Sequence, residues 1–474
     1  MNAKSCPTGT TPRRIIWLPR LSDGLPMAPP HVVREVRPLP QLLAAIALLA
    51  GAAACFAQDT EGSCGTELTR EQITHERIRD LAMFRARAQR ADLYPWFIPL
   101  KIHIVRYDDG TGGLSTADLE TALRKANDLL QSADVYAFQY GMVDNIDNSE
   151  YANMTKSCHG GTNAGNPCYD DRACPGGQCD YLRRCVGGSS NGSLCTTVDD
   201  CPGGGSCVSA AIRLRDENDS AQLVDLYFVP VLQGLCGWSS FTGSPYQGIL
   251  IANECATNLS STAHEIGHYF DLYHTHETGN GVECPSGSNC SSAGDLVCDT
   301  AADPDLSDHV TAAPACTWDE QTCESGDYQG TTCFSDVDCN PSGEDSCTAD
   351  ATGPPGCGST SYAPDPKNLM SYSRKDCRDT VAAGQSERFR SVWLSDRPDL
   401  FERTEYVAVL PGGPGDGSPT DPWRSVMSAV DNASAGDHVF IRAGDWHGRT
   451  IIDKRLVLHV WNEADGSAVI GAPF

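Results

Sequence analysis

His264-Glu265-Ile266-Gly267-His268 is a five-residue string bounded by histidines, and His274 follows six residues after it. On a helix, positions i and i+4 share a face, so His264 and His268 project side by side. That spacing suits two nitrogen ligands about 2.0–2.1 Å from one zinc ion. Glu265 would then point beside the metal, placed to take a proton from a zinc-bound water. His274 lies too far along to ligate from the same straight helix. It reaches the metal only if the chain breaks and turns back after His268. Three imidazoles with one open position describe a catalytic zinc site rather than a closed structural one.

Downstream stands Asn368-Leu369-Met370-Ser371-Tyr372. Together these segments resemble the metzincin metallopeptidases, with their HExxHxxGxxH helix and Met-turn. Gly294-Asp295-Leu296-Val297-Cys298-Asp299-Thr300, and Gly384-Gln385 with Arg388, resemble one branch in particular, the pappalysin (cytophagalysin-like) family. The resemblance spans roughly residues 96–400, apart from two insertions.

It implies an α+β fold: a twisted mixed sheet, an active-site helix and a Met-turn. It also implies a zinc-dependent endopeptidase acting on proteins or peptides. His264, His268 and His274 would bind zinc, and Glu265 would be the general base. Met370 would form the floor beneath the metal, and Tyr372 would stabilise the tetrahedral intermediate. Asp295 and Thr300, with the carbonyls of Gly294 and Cys298, match a calcium loop of oxygen ligands. Asp376, six residues beyond Met370, would select basic residues just after the cleaved bond. The ordinary readings stand beside these: a core methionine, a packed aromatic, a solvated acidic loop and an exposed turn residue.

One position departs from the pattern. The motif glycine, where the helix ends, is Asp271. Glycine suits a turn that needs positive φ, and Asp tolerates it at a cost on the order of 1 kcal/mol. His276 and His159 are expected to be solvated surface residues.

The formal charge of −27 argues against nucleic acid and anionic membrane as partners. Arg34 and Arg37 precede an apolar run from Leu42 to Ala54, with Ala57 as the cleavage point. Residues 1–57 therefore read as a signal peptide, with Met27 as an alternative start, and imply a secreted protein. The run is too short to be a transmembrane segment. Cys55 offers the alternative of a lipid-anchored form.

An exported chain with 23 cysteines implies disulfides. Twelve fall into three similar units: Cys158, Cys168, Cys174, Cys179; Cys185, Cys195, Cys201, Cys207; and Cys323, Cys333, Cys339, Cys347. Such short Gly-rich units bury little, so two bridges each must hold them. Their connectivity stays open. A zinc-ribbon reading is weak, since paired CxxC knuckles are missing. Removing residues 1–57 leaves an odd number of cysteines outside the units, and these cannot all pair within one chain. Cys64 is the natural one left over, because it alone precedes the catalytic region. Cys64-Gly65-Thr66 resembles the prosegment cysteine of pappalysin relatives, which implies a latency switch on the zinc.

The organisation that follows is a prosegment at 58–95 and a catalytic domain at 96–400. Cys-rich insertions occupy 155–208 and 322–348, within loops of that domain. Leu100–Val105, Val135–Val143, Leu223–Leu232 and Gly248–Ala252 read as strands, and Ser115–Leu130 as a helix capped by Ser115. Residues 405–474 resemble the opening of a right-handed parallel β-helix. About two rungs are present, and they could dock on the catalytic domain or pair with another chain. The second functional reading is an adhesive or scaffolding protein with an inactive zinc site. A third, a carbohydrate-active protein, rests on the β-helix segment alone.

Overall fold

The computed structural model describes Ser63, Cys64, Thr66 and residues 96–472, apart from 167, 169–172, 308–309, 319–321, 324–346, 349–355, 409–412, 420, 448–449 and 462–467. The readings of residues 1–57 lie outside these, as does most of 58–95. Among the described residues no helix is long and apolar enough to cross a membrane.

The centre of the fold is a mixed sheet. Its strands are β1 (Ser63–Cys64), β2 (Trp96–Arg106), β3 (Val135–Gln139), β4 (Asp144–Asp147), β5 (Val224–Val229), β6 (Leu235–Ser239) and β7 (Ile249–Ala252). They run in the order β1-β6-β7-β5-β2-β3, with β4 also pairing β2. The β6–β7 pairing is antiparallel, and the others are parallel.

Period-two alternation makes the sheet two-faced. Leu226 and Phe228 of β5 join one core cluster, and Tyr227 and Val229 join the other. The first face carries α1 (Thr116–Leu130), α3 (Ser261–Tyr269) and α4 (Ala383–Asp396). Ser115 caps α1 by accepting from the Asp118 N–H, and Leu119, Ala122, Ala126 and Leu129 form its buried stripe. Each large apolar side chain buried here contributes roughly 1.5–3 kcal/mol. The second face is covered by the short helix α2 (Ala210–Glu217). Three helices, the histidine-bearing α3 among them, thus share one side of the sheet.

The first two cysteine units form antiparallel hairpins, Lys156–Gly160 with Gly177–Tyr181 and Arg183–Val186 with Ser206–Ser209. Each is bridged first-to-third and second-to-fourth: Cys158–Cys174 and Cys168–Cys179, then Cys185–Cys201 and Cys195–Cys207. Bonded sulfurs cannot serve as thiolates, so the zinc-ribbon reading of these two units fails. In the third unit Cys323 faces Cys347 across an antiparallel pair, as Cys158 faces Cys179, and its two inner cysteines lie outside the described residues.

A separate set of parallel strands follows α4: β8 (Thr404–Val407), β9 (His438–Arg442), β10 (Gly444–His447), β11 (Val457–Trp461) and β12 (Ala468–Ala472). β8, β9 and β11 form one small sheet, and β10 and β12 another. This segment docks on β2 and β3. Phe440 stacks on Phe97 at 3.9 Å, and the Tyr406 hydroxyl accepts the Phe97 N–H at 2.8 Å.

Candidate metal centre

Helix α3 is buried along its whole length. After Tyr269 the chain leaves the helix, and Asp271 takes a left-handed conformation with φ 58°. That reversal returns His274 to the helix. The three Nε2 atoms of His264, His268 and His274 lie 3.0–3.3 Å apart. The corners of a tetrahedron around zinc, with bonds of about 2.0–2.1 Å, lie about 3.3–3.4 Å apart.

The outer nitrogens are held as well. His264 Nδ1 lies 2.7 Å from the Leu369 carbonyl, and His268 Nδ1 lies 2.7 Å from the Leu272 carbonyl. An N–H donated to each carbonyl leaves Nε2 with its lone pair facing the common point. Burial pushes His264 and His274 well below the ordinary imidazole pKa, and takes His268 down to about 3. All three are therefore neutral at physiological pH, the state a ligand needs. The donor set and its geometry fit a single zinc ion.

Glu265 is buried and lies across Gly237 of β6. A Cβ at position 237 would come within 2.5 Å of Glu265 Cγ, so only glycine admits the carboxylate there. Glu265 Oε2 accepts from the Thr66 hydroxyl at 3.1 Å, and Thr66 Oγ1 in turn accepts the Ser239 N–H at 2.7 Å. Strand β1, two residues before Thr66, pairs with β6 in parallel. The side chain of Cys64 lies outside the described residues. The other eight cysteines beyond the three units pair among themselves: Cys236–Cys255, Cys284–Cys357, Cys290–Cys298 and Cys316–Cys377.

Met370 is fully buried, with its sulfur 2.7 Å from where a Cβ on Gly267 would stand. Gly267 thus lets the thioether approach the helix closely. The turn carrying Met370 is held by Asn368, whose side-chain amide pairs with that of Gln385. Tyr372 lies 4.4 Å from the His274 ring. His276 is not the solvated residue the sequence suggested. It is half-buried, stacked on the His274 ring at 5.0 Å and tilted against the Tyr372 ring at 4.3 Å. His159 lies, half-buried, on the first cysteine hairpin.

Arg378, which sequence reasoning missed, is buried beside the centre. It donates to Ser260 Oγ at the start of α3 and to the Ser371 carbonyl, both at 3.0 Å. Asp376 reads from the sequence either as a pocket carboxylate or as an exposed turn residue. Its side chain is 45 % exposed, accepts from Arg374 at 3.1 Å and meets the Ala313 N–H.

The segment after α3 brings acids together. Asp295 is buried. Its Oδ1 accepts from the Val297 N–H and the Thr300 hydroxyl, while Oδ2 has no hydrogen-bond partner among the described residues. Glu283 has both oxygens buried without such a partner, and it packs against Gly294. Asn280 Oδ1 is buried and unpaired in the same way. Burial, with the neighbouring acid charges, raises Glu283 to about 8, and burial raises Asp295 to about 7. Carboxylates in this condition either keep their protons or take up a cation. Glu283 and Asn280 carry no motif, so no local signal marks them.

No family model matches the chain. Over 191 residues, 37% of its length, it is 29% identical to an extracellular metalloprotease of Podospora anserina and covers 48% of that protein. It is 28% identical over 193 residues to an extracellular metalloprotease of Verticillium alfalfae, covering 51% of it. The chain thus spans about half the length of the curated relatives it matches. Among solved structures, a promirolysin variant from Tannerella forsythia aligns over 71% of this chain and 96% of its own, at 14% identity and a TM-score of 0.34. The sequence similarity is to extracellular metalloproteases, and the three-histidine group provides what a metal would need.

Proposed function

We propose that the chain is a secreted zinc endopeptidase of the pappalysin branch of the metzincins. The observation that carries this reading is the convergence of three neutral imidazoles, two of them anchored to backbone carbonyls, beside a buried glutamate. Zinc held by His264, His268 and His274 would act as a Lewis acid on the scissile carbonyl. Glu265 takes the proton of the attacking water and passes it to the leaving amine. Tyr372 donates its hydroxyl to the oxygen that becomes negative. Met370 supplies an apolar floor beneath the histidines. The test is metal analysis of the oxidised, refolded protein, followed by cleavage of a peptide library with and without a chelator. A zinc-loaded protein that cleaves nothing would favour the adhesive or scaffolding reading.

Calcium completes the acidic segment in this reading, held by Asp295, Thr300 and the buried oxygens of Glu283 and Asn280. Latency belongs to residues 58–95. Thr66 hydrogen-bonds Glu265, and β1 lies along β6, so Thr66 stands against the carboxylate. A Cys64 thiolate would take the open position on the metal. We compare activity of the unprocessed chain with its Cys64→Ala variant. A rise in the variant supports the switch, and equal activity with a disulfide at Cys64 refutes it.

A further inference from the structure

Asp271 stands where the family resemblance implies glycine, and its left-handed conformation is one that glycine adopts without strain. A residue that pays this penalty for nothing would be a flaw in the site. Its carboxylate is instead engaged. It is 2 % exposed, and it accepts the Thr242 N–H on Oδ1 at 2.8 Å and the Thr242 hydroxyl on Oδ2. Hydrogen bonds to an ionised acceptor are among the stronger ones, and two on one residue fix its orientation.

Thr242 lies in the 240–248 connection between β6 and β7. Its neighbour Phe241 sits edge-on to the His268 ring at 5.5 Å and to Tyr273 at 5.3 Å. β6 itself carries Gly237, against which Glu265 lies. One carboxylate therefore ties the turn that follows the histidine helix to the loop leaving the strand beside the base. Glycine at 271 could make the same turn but could not make this tie.

We propose that Asp271 is a positioning residue: through Thr242 it holds Phe241 against His268 and fixes the end of β6 beside Glu265. The kinetic part of this inference rests on the proteolytic reading above, and the structural part does not. The experiment compares Asp271→Gly, Asp271→Asn and Thr242→Val. Amide hydrogen exchange of 240–248 is measured in metal-free and zinc-loaded protein, with kcat and KM on a peptide.

Asp271→Gly should speed exchange at 240–248 about tenfold or more and leave α1 unchanged. It should raise KM about tenfold, with kcat within about threefold and zinc retained. Asp271→Asn should restore both, because Asn tolerates left-handed backbone and still accepts the Thr242 N–H. Thr242→Val, which keeps that N–H, should give an intermediate effect. Unchanged exchange in Asp271→Gly would overturn the inference, and so would Asn behaving like Gly. If the glycine variant fails to fold, Thr242→Val decides by its exchange at 240–248 alone. A parent protein that cleaves no peptide would sink the proteolytic reading and leave the exchange result to judge Asp271.

Discussion

Two groups of buried histidines in this molecule have opposite fates. His264, His268 and His274 turn their Nε2 atoms toward one point. His438 and His459, in the segment after α4, turn toward each other, with His438 Nδ1 2.8 Å from His459 Nε2. Burial lowers the pKa in both groups, to about 3 for His438 and about 4 for His459. What differs is the second nitrogen. In the first group backbone carbonyls at 2.7 Å hold two of the Nδ1 atoms and free Nε2. In the second, one imidazole spends its lone pair on the other, and Phe440 stacks on His459 at 4.6 Å. Burial of imidazoles does not make a metal centre. Outward acceptors that aim the lone pairs do.

The largest expected effect tests Glu265 as the proposed base beside the first group. Glu265→Ala should lower peptide cleavage by about 10²–10⁴-fold while zinc content, read by metal analysis, stays near one per chain. Near-normal turnover would break the assignment. The direct comparison comes next. His274→Ala should weaken zinc binding by at least about 10²-fold, and His459→Ala should leave it unchanged. Competition with a chelator of known affinity reads both, and equal losses would erase the distinction drawn here.

The acidic segment offers a third contrast, because its buried acids would have to keep their protons or take up an ion. Calcium added to chelated protein should stabilise it by roughly 2.7 kcal/mol at a hundred times Kd. Glu283→Gln should remove most of that gain in a thermal melt. The histidine pair predicts an acid effect. Its folded pKa values lie below the unfolded value of about 6.5, so its contribution is fully present above that pH. As pH falls, the unfolded chain binds protons that the folded pair refuses. At pH 5 one such imidazole loses roughly 2 kcal/mol. Limited proteolysis of the 404–472 segment at pH 5 and 7.5 should show the loosening, and His459→Phe should flatten it. The smallest effect belongs to Asp376. It is exposed and engaged with Arg374, so Asp376→Ala should change the preference for basic residues by no more than about fivefold.

Local pattern made much of this molecule legible. The i, i+4 histidines, the Ser115 cap, the alternation within β2 and β5 and the count of cysteines are short-range properties, and each carries its own periodicity or stoichiometry. The third histidine was legible too, because its offset demanded a chain reversal that the structure shows at Asp271. Partners distant in sequence were not legible. Nothing local in Gly237 says that a glutamate will lie across it, and nothing in Glu283 says that Asp295 will be its neighbour. His276 read as a surface residue because its string is polar, yet the rings of His274 and Tyr372 cover it.

The residues alone therefore determined the chemistry on offer: a histidine set spaced for a metal, an adjacent carboxylate and cysteines in repeating units. Only the tertiary structure decided which cysteines bond, which carboxylates are buried without a partner and which nitrogen of each histidine faces inward. The reason is physical. Helical and strand spacing follow from backbone geometry within a few residues, and that is written in the chain. Burial, hydrogen-bond pairing and ring orientation depend on which distant segments the sheet brings together, and that exists only once the chain has folded.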